Sequence, residues 1–162
     1  MTPTFTGVHH LKFPVSDMPA SIAWFETALG ATRVANLDHL DRDGNLFAVI
    51  MMLPGLEVPT ELRLAPAAAA AIAGYDPVTF GVADRAALDD WISHLDAVGV
   101  EHSPVIAGFA GHLIEFRTPD GLAIRAYTDL TDGVAGAKLR PEQADIDNPW
   151  INPPLMVRPK SD

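Results

Sequence analysis

The chain alternates apolar and other residues in a short stretch, shifts to helical spacing, and then does both again. Leu11, Phe13 and Val15 alternate with Lys12 and Pro14 ahead of Asp17, after which Ile22, Phe25 and Leu29 fall on one face of a helix running to Gly30. Further on, Val78, Phe80 and Val82 alternate ahead of Asp84, and Leu88, Trp91, Ile92, Leu95 and Val98 line a helix ending at Gly99. Asp17 and Asp84 stand where an N-cap carboxylate accepts from free helix amides, and Gly30 can take a left-handed C-cap. Both helices are therefore expected to pack on sheets.

The two stretches are copies. Gly74 follows Gly7 by 67 residues, and the same spacing pairs Phe13 with Phe80, Val15 with Val82, Asp17 with Asp84, Ala20 with Ala87 and Trp24 with Trp91. After each helix three strands are expected, at 31–38, 45–53 and 60–65, then at 101–107, 112–117 and 122–128. Asp41-Arg-Asp-Gly-Asn45 and Pro119-Asp-Gly121 supply the turn residues between them. The pattern predicts an α+β fold of two βαβββ modules, 1–65 and 75–129, with an Ala-rich linker at 66–74 and a tail at 130–162. Within the tail, Trp150 and Ile151 form an apolar cluster among prolines, expected to pack on the body or on a second subunit. Trp24, Trp91 and the Met51-Met52 pair read as core.

Composition narrows the function classes. With 162 residues, 48% of them hydrophobic, the chain can bury a core, and with no cysteine it uses neither disulfides nor thiolate chemistry. A net charge of −10 argues against binding nucleic acid through phosphates. No stretch approaches a membrane span and no leader precedes the first strand, so a soluble cytoplasmic protein is expected.

These landmarks resemble the vicinal oxygen chelate superfamily, which includes glyoxalase I, bleomycin-resistance proteins and extradiol dioxygenases. The resemblance is carried by Gly7-Val-His-His-Leu-Lys-Phe-Pro-Val-Ser-Asp17, the helix Ser21-Ile-Ala-Trp-Phe25 with Leu29-Gly30, Val82-Ala-Asp84, and Thr118-Pro-Asp-Gly121. It implies two modules related by a pseudo-twofold, a curved mixed sheet around a cavity, and a homodimer. Active members hold a divalent metal by one side chain from the first and last strand of each module, positions that fall here on His10, Glu61, Pro77 and Arg125. The first two can ligate; proline offers no donor atom, and arginine stays protonated. A one-residue slip would offer Asp76 in place of Pro77. The cofactor is thus left open between a divalent metal such as Zn, Mn, Fe or Ni held by His10 and Glu61, and none, with the replaced ligands favouring none.

If Leu11, Phe13, Val15, Leu62, Leu64, Val78, Phe80, Val82 and Ile124 are buried under the helices, alternation sends His10, Lys12, Glu61, Arg63, Pro77, Thr79, Arg125 and Tyr127 to the cavity. His10, Glu61 and Tyr127 are the candidate acid–base groups, against the plainer readings of a hydrogen-bonded histidine, a paired carboxylate and a packed ring. Lys12, Arg63, Thr79 and Arg125 are the candidate ligand contacts, with Arg125 expected to pair with Glu61. His9 is expected to point away from His10; His39, His94 and His102 are expected at the surface, and His112 at the cavity rim. The leading expectation is a small-molecule protein for a carboxylate, enolate or phenolate, sequestering it or turning it over. The alternatives are a metal-dependent lyase, isomerase or dioxygenase using His10 and Glu61, and a non-catalytic interaction module.

Overall fold

A computed structural model describes residues 2–128 and 140–151. It divides into two compact units, Met1–Ala71 and Ile72–Asp162, with the division inside the expected linker. Unit 1 contains β1 (Leu11–Val15), α1 (Met18–Leu29), β2 (Thr32–Arg33), β3 (His39–Leu40), β4 (Leu46–Met52), β5 (Thr60–Leu64) and α2 (Pro66–Ala71). Unit 2 contains β6 (Val78–Val82), α3 (Arg85–Val98), β7 (Ile106–Ala107), β8 (His112–Arg117) and β9 (Ala123–Thr128). No helix among the described residues is long and apolar enough to cross a membrane.

Each unit builds one sheet on the same plan. The strand orders are β1-β5-β4-β2, with β3 also on β4, and β6-β9-β8-β7. In both, the first strand runs parallel to the last, Lys12 opposite Glu61 in one and Thr79 opposite Arg125 in the other, and the remaining pairs are antiparallel. The two modules therefore repeat one α+β design, as the offset predicts.

The helices end where the repeated residues stop them. Asp17 accepts from the Ala20 amide at 3.0 Å and Asp84 from the Ala87 amide at 2.9 Å, so both partners of each cap recur at the same offset. Gly30 and Gly99 close the helices with φ of 63° and 71°. Beneath α1, Phe13 meets Phe25 edge to face at 5.4 Å, over a fully buried row of Leu62 and Val49. Beneath α3, Trp91 stacks on buried Phe116 at 6.4 Å. Trp24, at the equivalent place on α1, is half-buried with its ring edge on Phe25.

Three expectations need correction. The strand expected at 31–38 is only Thr32–Arg33, because the chain then turns through a short 3-10 helix at Ala35–Leu37, closed by an Arg33–Asp38 ion pair, and re-pairs as β3. The strand expected at 101–107 shrinks to Ile106–Ala107. Ser103 bonds Glu115 through its amide and its hydroxyl, but Pro104 has no amide to continue the ladder. Leu64, expected under α1, is the last residue of β5 and is 40% exposed.

Asp84→Ala is expected to cost about 1 kcal/mol through the lost cap. Gly99→Ala should cost about 1–2 kcal/mol from backbone strain alone, because an added methyl there meets no atom within 4 Å. Urea unfolding checks both, and unchanged midpoints would contradict this account of the helix ends.

Candidate functional site

In unit 1 the face turned away from α1 carries the charged residues. Phe13, Leu62 and Val49 form one cross-strand row under the helix, so the next row, Lys12, Glu61 and Ile50, rises from the opposite side. Glu61 is buried at its centre, with 5% of its side chain exposed. Arg63 Nε donates to Glu61 Oε1 at 2.7 Å, and Lys12 Nζ lies 3.3 Å and His10 Nε2 3.5 Å from Oε2. The structure thus brings together four of the residues expected at a cavity. Arg63 is fixed further by the Phe47 ring, 4.8 Å from its guanidinium carbon. His9, expected to point away from His10, instead has its Nδ1 2.9 Å from that of His10.

Burial pushes the Glu61 carboxyl up, but the hydrogen bonds and charges of Arg63 and Lys12 outweigh it and hold the group below the ordinary glutamate range. Lys12 and Arg63 bring two permanent positive charges to one negative charge. The cluster therefore carries one surplus cation, with Lys12 and Arg63 both reaching solvent.

Unit 2 fills the corresponding positions differently. Arg125 occupies on β9 the register place that Glu61 holds on β5, and its carboxylate partners lie in its own unit: Glu115 at 3.0 Å from Nε and Asp76 at 2.8 Å from Nη1. The sequence reading offers Glu61 as its partner, yet Arg125 and Glu61 each find ion pairs inside their own units. Arg117 adds a longer contact to Glu115 at 3.5 Å. Glu115 is 1% exposed, and burial drives its carboxyl above the ordinary value; Arg125 and Arg117 oppose this, and the negative Asp76 adds to it. Two arginines here meet two carboxylates, so this cluster is balanced.

Thr79 is exposed directly across from Arg125. Tyr127 is half-buried, and its hydroxyl oxygen accepts from the Ala110 and Gly111 amides at 2.9 and 3.2 Å. That grip depends on Gly108, where a β-carbon would stand 2.3 Å from the tyrosine oxygen. His112 borders a cleft of about 60 Å³ with Arg140 and Gln143. His102, expected at the surface, is tied to Asp96 at 3.2 Å and to the Ser103 carbonyl at 2.7 Å.

Glu115 is the residue the sequence reading misses. A signal for it exists: Glu115 and Arg125 lie at equal distances on either side of Asp120 in the Pro119-Asp-Gly121 turn, so a tight hairpin must set them opposite each other.

A four-ligand divalent metal site does not fit these residues. Both Glu61 oxygens already face cations, the guanidinium of Arg125 cannot ligate, and proline at 77 has no donor atom. Among the described residues, no three His, Asp or Glu side chains cluster so as to hold an ion.

A family model described as Glyoxalase/Bleomycin resistance protein/Dioxygenase superfamily matches residues 7–126. No curated protein matches the sequence. Among solved structures, the chain is similar to FosX, a genomically encoded fosfomycin resistance protein from Listeria monocytogenes, with a TM-score of 0.60 and 14% identity over 80% of this chain and 98% of that one. A glyoxylase/bleomycin resistance protein/dioxygenase domain from Frankia sp. EAN1pec matches at 0.58 and 18% identity, covering 77% and 98%. TnmS3, an antibiotic binding protein from Streptomyces sp. CB03234, matches at 0.60 and 16%, covering 78% and 98%. At these identities the likeness is one of fold.

Arg125→Ala should leave buried Glu115 with only its longer Arg117 contact and destabilise the protein by about 3 kcal/mol at neutral pH. With its main counter-charge gone, the Glu115 carboxyl rises further, so the loss should shrink as pH falls through that raised value and the group becomes neutral. Glu61→Gln should also lose its deficit in acid, but in a lower pH window, because the Glu61 carboxyl lies below the ordinary glutamate range and that of Glu115 above it. A depressed carboxyl stabilises above its unfolded value, so this variant's deficit, about 1–2 kcal/mol at neutral pH, should close as acid protonates Glu61 in the wild type. Denaturant unfolding of both variants at several pH values checks the shared direction and the two separate windows.

Proposed function

The chain belongs to the Glyoxalase/Bleomycin resistance protein/Dioxygenase superfamily, and from there we propose that it binds a small organic anion at Lys12, Arg63, His10 and Glu61, without a four-ligand metal site. The observation that carries this reading is the surplus positive charge of the unit 1 cluster, which the balanced unit 2 cluster lacks. An oxyanion about 4 Å from that charge gains about 1 kcal/mol under water-like screening and about 4 kcal/mol where the protein partly screens it. A carboxylate, enolate or phenolate oxygen suits two donors on different strands.

In this reading Lys12 and Arg63 hold the anion, Glu61 keeps both cations in position, and His10 carries a proton to or from the bound molecule. Fosfomycin resistance and antibiotic binding in proteins of this fold support a small-molecule role of this general kind. The homodimer that the resemblance implies and the cytoplasmic location that the sequence leads one to expect are part of the same proposal.

Melting curves with benzoate, phenylphosphonate and uncharged benzamide test it. An anion at about a hundred times its dissociation constant should raise the melting temperature by about 5–10 °C, and Lys12→Met with Arg63→Met should abolish the rise. Equal stabilisation by benzamide, or an undiminished response in the double variant, would contradict the proposal.

A further inference from the structure

The two sheets use the faces turned away from their helices differently. In unit 1 Lys12 and Arg63 reach solvent, whereas in unit 2 Glu115 and Arg125 are covered and Arg117 alone reaches solvent beside them. Phe116 stacks on Trp91, so Phe116 and its cross-strand partner Ile124 face α3, and Glu115, Arg117 and Arg125 rise from the other side. The described C-terminal segment, 140–151, attaches to these residues and to the neighbouring edge. The Arg140 amide donates to the Phe109 carbonyl at 2.6 Å and the Asp145 amide to the Ala107 carbonyl at 2.9 Å. Asn148 then accepts from the Trp150 amide at 3.0 Å and donates to Asp145 at 3.0 Å, which fixes the turn that presents the indole. The guanidinium of Arg117 lies 5.6 Å from the Trp150 ring, and Arg125 Nη2 donates to the Ile151 carbonyl at 2.8 Å.

We infer that this is a binding site in its own right, with Trp150 and Ile151 as its resident occupants, for an uncharged molecule in which an aromatic ring adjoins an amide or ester carbonyl. The charge count decides the ligand class. Arg125 and Arg117 are already matched by Asp76 and Glu115, so the site offers no net charge to a free anion. Beyond these pairs, the chain satisfies an Arg125 N–H with a neutral carbonyl and the face of Arg117 with an indole. The segment holds on through a few hydrogen bonds and one half-buried ring, the kind of element that opens at low free-energy cost. A free ligand must compete with it, and its apparent affinity falls by the fraction of time the site stands open. None of the groups used belongs to the unit 1 cluster, so this site stands or falls apart from the proposed anion site.

Full-length protein and N-acetyltryptophanamide test it, read by nitrogen-15 NMR including the arginine Nε–H signals. Trp150→Ala should bind the probe about tenfold more tightly than wild type, the result for a segment closed about nine-tenths of the time. The perturbed signals should include those of Arg117 and Arg125, and Arg117→Ala in the same background should remove most of the binding. In wild type, saturating probe should speed hydrogen exchange at the Arg140 and Asp145 amides. Equal affinity in wild type and Trp150→Ala, perturbations confined to other residues, or a preference for the anionic N-acetyltryptophan would each overturn the inference.

Discussion

Two buried carboxylates, Glu61 and Glu115, constrain most of what surrounds them. Each sits in a strand, 3% and 1% exposed, and an ionised carboxylate removed from water costs several kcal/mol unless positive charge and hydrogen bonds replace the lost hydration. The protein meets this demand twice with its own side chains. Around Glu61 the cations outnumber the carboxylate and its pKa falls; around Glu115 burial wins and its pKa rises, despite Arg125. The same requirement therefore leaves one cluster with a surplus cation and the other neutral in net charge.

Duplication explains how one design came to hold both solutions. The register opposing Lys12 to Glu61 and Ile50 opposes Thr79 to Arg125 and Glu115 in the second copy. With a cation in the last strand, the compensating carboxylate moves one strand over, to the place Ile50 holds in the first copy. Arg125 also reaches Asp76 and the Ile151 carbonyl, joining the start of unit 2, its central hairpin and the C-terminal segment at one guanidinium. Such a hub is why truncating this arginine should cost far more than truncating a surface one.

Much of this was legible in the chain. The repeat at 67 residues located both helices with their caps, since Asp17, Ala20, Asp84 and Ala87 are the residues that make the cap hydrogen bonds. Strand alternation put Lys12, Glu61 and Arg63 on the face away from α1, because Phe13 and Leu62 mark the buried row. Local pattern is weaker where long-range pairing decides: β7 begins only after Pro104 has interrupted the ladder, and Leu64 is exposed where β5 ends. Glu115 escaped notice because a single carboxylate among apolar strand residues looks like a surface position until the hairpin register is worked through. The docking of Trp150 on Arg117 joins residues far apart in sequence, and no periodicity reports such a contact; the cluster of tail prolines could suggest only that the indole would find cover.

The proposed anion site rests on Lys12 and Arg63 neutralising Glu61 in the place of a divalent metal. Elemental analysis of untagged full-length protein, paired with melting curves with and without a chelator, tests it most directly. Metal well below one equivalent per chain and an unchanged melting temperature are expected. One tightly held ion per chain, lost on His10→Ala or Glu61→Ala and taking stability with it, would contradict it.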